Sequence, residues 1–148
     1  MNLNPGMMIP ILFPIAFVGM WVTLMWFFSK QGGWSELAEQ FPDDPAIERN
    51  NLRWKSIRLG WVGYNNCMTL GFSDVGLHLS IPPPFKMFHP NLLIPWDQLH
   101  SAREKSLFFF RWTEVYIGHP IIAQITAPHI LFEELQSRQP PETDDFTE

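Results

Sequence analysis

The side chains best suited to chemistry in this chain are five histidines and one cysteine, and the sequence pairs none of them. The closest histidines are 10 or 11 residues apart, so neither a His-x-x-x-His nor a Glu-x-x-His metal-binding motif occurs. The single cysteine, Cys67, excludes an intramolecular disulfide and any zinc site with two thiolates. Cys67 begins an apolar run, which favours a buried small hydrophobic side chain over a nucleophile.

Most of the histidines are expected to be loop or surface side chains, and His78 lies on the polar face of an alternating strand. The chain has no nucleophile-elbow, phosphate-binding-loop or dinucleotide-binding motif. Two adjacent helical acids, Glu133 and Glu134, point about 100° apart and do not form a working pair. With no paired nucleophile and base in the sequence, we predict a protein that is not an enzyme and that binds no metal ion and no cofactor.

The elements that would position any site begin with a long apolar segment. Residues 7–28 contain 18 apolar side chains in 22, without a charge, Asn, Gln or His. As a helix this segment spans about 33 Å, the thickness of a bilayer hydrocarbon core. A buried core helix would show a polar stripe, and a signal peptide would show a basic start and a cleavage site. We predict one uncleaved transmembrane helix over residues 7–28, with an extramembrane terminus at residues 1–6.

The charges around this segment predict its orientation. No Lys or Arg precedes it, whereas Lys30 and several cations follow it, so the positive-inside rule places the C-terminal part in the cytoplasm. Without a histidine, the helix offers no imidazole to a haem or a chlorophyll-type pigment. Gly19 and Thr23 have the small-xxx-small spacing of a helix-packing face, a pattern that is also common by chance. The formal net charge of −5 argues against a nucleic-acid binder.

Residues 29–48 are predicted to be a joint, a short amphipathic helix and a linker. Trp34, Leu37 and Phe41 recur at helical spacing and form one apolar face that ends before Pro42. The opposite face is acidic, which does not suit binding to anionic lipid. We expect the apolar face to pack on the soluble domain or on a partner subunit.

Residues 49–139 are predicted to form a soluble, mainly-β (α+β) domain of six or seven short strands and a C-terminal helix. Turn signals are expected to place the first turn at residues 63–66, a hairpin turn at residues 73–76 and a late turn at residues 113–114. An apolar stripe up to Arg138 predicts the last helix. Residues 140–148 are acidic and contain two prolines, which predicts a disordered tail.

Two stretches of this domain carry a family resemblance. LGFSDVGLHL at residues 70–79 and LIPWDQL at residues 93–99 give, in order, a strand, a D-x-G turn, a strand and an I-P-W-x-x-L strand exit. This arrangement resembles bacterial pleckstrin-homology-like (PH-like) and GRAM-like barrels. The segment before the domain is similar to small membrane-anchored bacterial proteins of unassigned role.

The resemblance implies a PH-like antiparallel barrel or sandwich with a C-terminal helix, in a protein of the bacterial inner (cytoplasmic) membrane. Its motifs are structural rather than catalytic, so it implies the fold more than the function. Family members that bind phosphoinositides use a basic loop between the first two strands. The corresponding residues 63–66 contain no basic side chain.

Two surface regions remain as candidate binding sites. Four cations after Glu48 lie near the membrane end of the domain, and each would contribute about 1 kcal/mol beside an anionic lipid surface; a solvated strand edge is the alternative. The loop at residues 82–91 carries apolar side chains among four prolines, which suits a protein or membrane contact unless it folds back over the barrel. The candidate lipid-phosphate contacts are Arg49, Arg53, Lys55 and Arg58, and the candidate partner contacts are Phe85, Lys86, Met87, Phe88, Trp34, Leu37 and Phe41.

Together these features predict a non-enzymatic accessory or scaffold subunit of a larger membrane complex, respiratory or photosynthetic. Its helix would dock in the bilayer while its cytoplasmic β-domain clamps a partner subunit. The alternative is a membrane-tethered PH-like module that binds a lipid or a signal. The expected partners are the membrane and other membrane subunits, with anionic lipid in the alternative and no nucleic acid.

Overall fold

An apolar helix, a curled antiparallel sheet and a C-terminal helix make up the fold in a computed structural model that describes residues 5–138. The helices are α1 (Pro5–Gln31), α2 (Trp34–Gln40) and α3 (Ile130–Arg138). The strands are β1 (Asn50–Leu59), β2 (Val62–Phe72), β3 (Gly76–Ser80), β4 (Leu92–Pro95), β5 (Leu99–Leu107), β6 (Phe110–Ile117) and β7 (Ala123–Pro128). The predicted tail at residues 140–148 lies outside the described residues, as do residues 1–4.

Helix α1 extends past both ends of the predicted segment at residues 7–28. Its stretch Met8–Gln31 is long and apolar enough to cross a membrane, with a mean hydropathy of 2.1, and only 6% of its most apolar window is buried in the chain. Most of the apolar surface of α1 therefore has no cover from the rest of the described chain. The prediction of one N-terminal apolar helix of membrane-spanning length is confirmed at this level.

The seven strands form one antiparallel sheet in the order β4-β3-β2-β1-β7-β6-β5. Strand β4, which contains Pro95, lies at one edge, where a missing backbone N–H is tolerated. Helix α3 packs beside β5 and β7 and buries Leu131 and Leu135 in the core. This confirms a mainly-β α+β fold with a terminal helix.

Two predicted turns are wrong. The chain turns at Gly60 and Trp61, where Gly60 adopts φ +57° and donates its N–H to the Gln124 carbonyl at 2.8 Å. Residues 63–66 instead lie inside β2, and Tyr64 is buried. The late turn lies at residues 108–109. Residues 113–114, where the turn was predicted, lie inside β6, and Thr113 is fully buried.

The hairpin turn between β2 and β3 lies where the sequence places it. Gly76 follows the turn, and a Cβ built on it would lie 2.2 Å from the Ile94 carbonyl oxygen, so only glycine fits beside β4. Ser73 accepts the Gly76 N–H through its hydroxyl at 3.2 Å. The glycine of the D-x-G sequence therefore allows β3 and β4 to pack closely.

Helix α2 is part of the core of the β-domain. Trp34 and Leu37 are fully buried among the sheet residues. The chain after α2 is bound to β4, because the Leu93 N–H donates to the Phe41 carbonyl at 3.0 Å and Pro42 forms a bridge with Leu92. The apolar face of α2 therefore packs on the β-domain of its own chain.

Replacing Leu37 by Ala tests this packing. Because Leu37 is 0% exposed, we expect Leu37→Ala to lower the free energy of unfolding by about 2–5 kcal/mol, measured by urea unfolding of the full-length chain in detergent. The control Glu39→Ala, on the exposed face of the same helix, should change it by less than about 0.5 kcal/mol. Equal effects of the two substitutions would contradict the packing described.

Candidate functional site

The loop at residues 82–91, here called the proline loop, lies against the C-terminal part of α1. The ring centroids of Trp21 and Phe85 are 5.4 Å apart. At the end of the helix, the Ser29 hydroxyl donates to the Phe88 carbonyl at 2.6 Å, and Ser29 is buried. The helix and the β-domain are therefore joined by side-chain packing as well as by the connecting residues.

A buried aromatic cluster holds the proline loop in place. The Trp34 indole N–H donates to the Pro90 carbonyl at 2.9 Å. His89 is buried, and its Nδ1 lies 2.9 Å from the Met87 carbonyl, which can only accept, so Nδ1 carries the hydrogen. Its Nε2 then accepts from the Tyr64 hydroxyl at 3.1 Å. His89 lies in a loop, as expected for most of the histidines, but its ring is buried and is part of the packing.

Burial fixes the protonation of this cluster. It lowers the pKa of His89, although the hydrogen bond to the Met87 carbonyl works the other way. It also raises the pKa of Tyr64, with a smaller contribution from Cys67. His89 and Tyr64 are therefore both neutral at pH 7, and the cluster acts as an uncharged support.

An apolar cavity of about 360 Å³ lies between α1 and β2. Met25 and Phe28 line it from the helix, and the proline loop contributes Phe85. Its remaining lining includes Ile81 and, from β2, the partly buried Cys67. A space of this size and composition suits an apolar group such as a hydrocarbon chain.

A basic cleft of about 440 Å³ lies beside this cavity. Three of its lining residues are cationic, Arg49, Arg53 and Lys86, and one is acidic, Asp43. Among the described residues, Arg53 and Lys86 have no ion pair, whereas Arg49 contacts Asp43 at 2.8 Å. Of the four candidate lipid-phosphate contacts, Arg49 is therefore already paired.

A buried polar network lies behind the basic cleft. His78 Nδ1 donates to Asp43 Oδ1 at 2.7 Å, and His78 Nε2 lies 2.8 Å from the Ser73 hydroxyl. Arg49 donates two hydrogen bonds to the same carboxylate, at 3.0 and 2.8 Å. His78 is 2% exposed, so the prediction that it lies on the polar face of a strand as a surface residue is wrong. The fold buries it because the linker carrying Asp43 crosses that face of β3.

Asp43, His78 and Ser73 have the atom order of an acyl-transfer triad, which the sequence did not predict. The expectation that the chain lacks a paired nucleophile and base is thus wrong for the folded chain. However, Ser73 is 4% exposed and its hydroxyl also bonds to Gly76 within a tight turn. Asp43 lines the basic cleft, but neither His78 nor Ser73 does. With the Ser73 hydroxyl buried and hydrogen-bonded within its turn, the array ties the linker to the β2–β3 hairpin.

Two other histidines come together in the fold. The rings of His100 and His119 are 3.7 Å apart between centroids, and burial together with the neighbouring His119 lowers the pKa of His100. Within residues 5–138, no group of three or more His, Cys, Asp and Glu side chains is placed to hold a metal ion.

The most exposed apolar feature of the β-domain is the hairpin tip between β5 and β6, which sequence reasoning missed. We call residues 107–110 the aromatic tip. Phe108, Phe109 and Phe110 are 91%, 98% and 76% exposed. Four consecutive uncharged apolar residues at a turn are the signal that could have found it, but the misplaced turn put them inside a strand.

The remaining predicted contacts divide by exposure. Trp34 and Leu37 are fully buried in this chain, so their assignment as partner contacts is wrong, and Phe41 is half-buried. The proline loop keeps its apolar side chains partly exposed, at 38% for Phe85 and 45% for Met87 and Phe88.

The other candidates are less informative. Lys55 is half-buried and Arg58 is exposed on β1. In α1, Thr23 donates its hydroxyl to the Gly19 carbonyl at 2.8 Å, and a Cβ on Gly19 would meet nothing within 4 Å. That face remains a predicted site for a second helix.

The chain was compared with protein-family models, curated proteins and solved structures. No family model matches it, and neither a curated protein nor a solved structure does.

Replacing Asp43 tests the buried network. Burial works to raise the pKa of Asp43, but hydrogen bonds from Arg49 and His78 outweigh it and hold that pKa below 3.8. Its contribution to stability is therefore present above about pH 4 and is lost as the pH falls through the lowered pKa. We expect Asp43→Asn to lower the free energy of unfolding by about 1.5–3 kcal/mol at pH 7.

The pH dependence distinguishes this network from a packing effect. In urea unfolding, the difference between the original chain and Asp43→Asn should shrink as the pH falls below about 4. Asp44→Asn is the control, because the Asp44 side chain is exposed and its carboxylate accepts a hydrogen bond only from the Ala46 N–H of its own turn among the described residues. A difference that stays constant down to pH 2 would contradict the charged network.

Proposed function

We propose that this protein is a membrane-anchored, non-enzymatic accessory subunit that binds a partner protein through the aromatic tip of its β-domain. Helix α1 would lie in the bilayer, with the β-domain on the cytoplasmic side. The exposure of the aromatic tip is the observation that carries the proposal.

The uncovered apolar surface of α1 supports the membrane placement. Met8–Gln31 is 24 residues long, which corresponds to about 36 Å of helix. In water such a surface would be a strong aggregation site, whereas lipid tails or neighbouring helices would cover it. The proline loop would then lie against the part of α1 that crosses the cytoplasmic leaflet, because Phe85 contacts Trp21, about 15 Å before the helix ends. The exposed Phe and Met side chains of that loop suit this environment.

The aromatic tip lies at the other end of β6 from the joint with α1. Ile117, the last residue of β6, pairs with Ala123, and a Cβ built on Gly33 would lie 3.7 Å from the Ala123 Cβ. Strand β6 then runs about 23 Å to Phe110. The tip is thus held away from the joint, where β5 and β6 extend past the last pair between β6 and β7, Trp112 and Pro128.

Its composition favours a protein partner. Exposed aromatic clusters are costly in water, and buried aromatic anchors contribute most of the binding energy at protein interfaces. Arg111 and Lys105 flank the tip, each with a carboxylate from the same hairpin within 3.7 Å or less. A polar surround of this kind is typical of an interface rim around an apolar centre.

We further propose that the β-domain is PH-like. Seven antiparallel strands followed by one packed helix support this proposal, and the same resemblance would place the protein in a bacterial inner membrane. The turn between β1 and β2, at Gly60 and Trp61, carries no basic residue, which favours protein binding over phosphoinositide binding at that position.

Substituting the aromatic tip tests the proposed function. We expect Phe108→Asp/Phe109→Asp to remove the chain from a larger complex, measured by native gel electrophoresis of gently solubilised membranes. Loss of two aromatic anchors of about 2 kcal/mol each should reduce the complex-bound fraction by more than about tenfold. The melting temperature should not fall, because both side chains are exposed.

Ile121→Asp is the matched control, because Ile121 is 63% exposed in a different loop. It should leave the complex intact. Migration of the original chain as a free monomer in every mild detergent would overturn the proposed function, and so would an unchanged complex in the double variant.

A further inference from the structure

We propose that the basic cleft and the apolar cavity together hold one anionic glycerophospholipid, with its phosphate in the cleft and one acyl chain in the cavity. This site rests on the membrane placement of α1 proposed above, but not on the aromatic tip or its partner. The lipid would bind at the face of the β-domain that packs against α1.

The two spaces are adjacent and differ in character. Cys67 and Ile81 line both the cleft and the cavity. One side of this boundary carries Arg53 and Lys86, and the other carries Met25 and Phe28. A ligand that fills both must therefore be polar and anionic at one end and hydrocarbon at the other.

The cleft has unused capacity for an anionic group. Its three cations face one carboxylate, and that carboxylate is taken by Arg49 and His78. Arg53 and Lys86 are thus left without a counter-charge in the described part of the chain. The buried Asn91 amide oxygen has no hydrogen-bond partner, so a headgroup hydroxyl would also satisfy a polar atom there.

The cavity offers nothing to a charged ligand. Its polar lining residues are Tyr64 and His89, which are neutral and hydrogen-bonded to each other, and Asn65, which is an uncharged amide. Met25 and Phe28 line the cavity from the C-terminal part of α1, where that helix would leave the bilayer. The neighbouring phase at this level is lipid, so an acyl chain reaches the cavity without crossing water.

The headgroup half is tested on the full-length chain in nanodiscs of phosphatidylcholine and phosphatidylglycerol at a ratio of about 4:1. After gentle extraction, native mass spectrometry should find one phosphatidylglycerol per chain, enriched at least about tenfold over the input ratio. Arg53→Glu/Lys86→Glu should abolish this enrichment. Arg103→Glu/Arg111→Glu, which makes the same change in net charge on the exposed β5–β6 hairpin, should keep it.

The acyl-chain half is tested from the helix side. Met25→Trp should fill the cavity and reduce lipid retention at least about tenfold. Met20→Trp is the matched control, because Met20 is 52% exposed on the same helix and does not line the cavity. Both substitutions leave the β-domain sequence unchanged, and the melting temperature checks its folding.

Cys67 provides an independent readout, because it lies at the boundary of the two spaces and is the single cysteine of the chain. Bound phosphatidylglycerol should slow maleimide labelling of Cys67 about tenfold relative to the delipidated chain. Soluble glycerol 3-phosphate, which has the head but no chain, should not slow it.

Several outcomes would overturn the lipid site. These are equal retention of phosphatidylcholine, unchanged retention in Arg53→Glu/Lys86→Glu or Met25→Trp, and equal protection of Cys67 by glycerol 3-phosphate. The last would mean a site for a free phosphate only. None of them affects the aromatic tip, whose complex is measured separately, so failure of the lipid site and failure of the proposed partner role are distinguishable.

Discussion

The packing of the proline loop against α1 is the contact on which the arrangement of this protein depends. Helix α1 presents apolar side chains that the described chain leaves almost entirely uncovered, so its relation to the β-domain is set where the two parts touch. Trp21 meets Phe85, and Ser29 bonds to the backbone of Phe88. These contacts place the apolar cavity and the basic cleft beside the end of the helix. The Phe27 and Trp61 rings, with centroids 6.4 Å apart, add a second contact between the helix and the β-domain.

The loop can serve this role because the β-domain holds it from the other side. His89, Tyr64 and Trp34 form a neutral buried cluster beneath it, and hydrogen bonds satisfy their polar atoms. The charged network around Asp43 does the same for the linker before β1. Buried polar groups are costly unless they are fully paired, and here the pairing joins segments that are distant in sequence. The basic cleft and the apolar cavity are therefore preformed in the folded chain.

Periodicity predicted much of the fold, and long-range contacts account for what it missed. The apolar helix, the amphipathic α2 and the terminal α3 follow from local spacing, because one face of a helix is visible in a short window. The two wrong turns arose where several residues tolerate a turn and only strand register selects one. Gly60 bonds to Gln124, a partner 64 positions away, which no local pattern contains. His78 was predicted to lie at the surface for the same reason. Asp43, which packs over it, belongs to the linker before β1 and is 35 positions away in the sequence. The four apolar residues of the aromatic tip are consecutive in the sequence, but their exposure depends on the position of the turn.

The measurement that tests the central arrangement most directly is the depth of three positions in a bilayer. Spin labels at Phe13, Phe85 and Phe109 would be introduced singly into the full-length chain with Cys67→Ser, and their accessibility to oxygen and to a water-soluble nickel complex compared. We predict that Phe13 lies in the hydrocarbon core, Phe85 in the cytoplasmic leaflet and Phe109 in water. A label at Phe13 that is open to the nickel complex, or one at Phe85 that is as exposed to it as Phe109, would contradict the account.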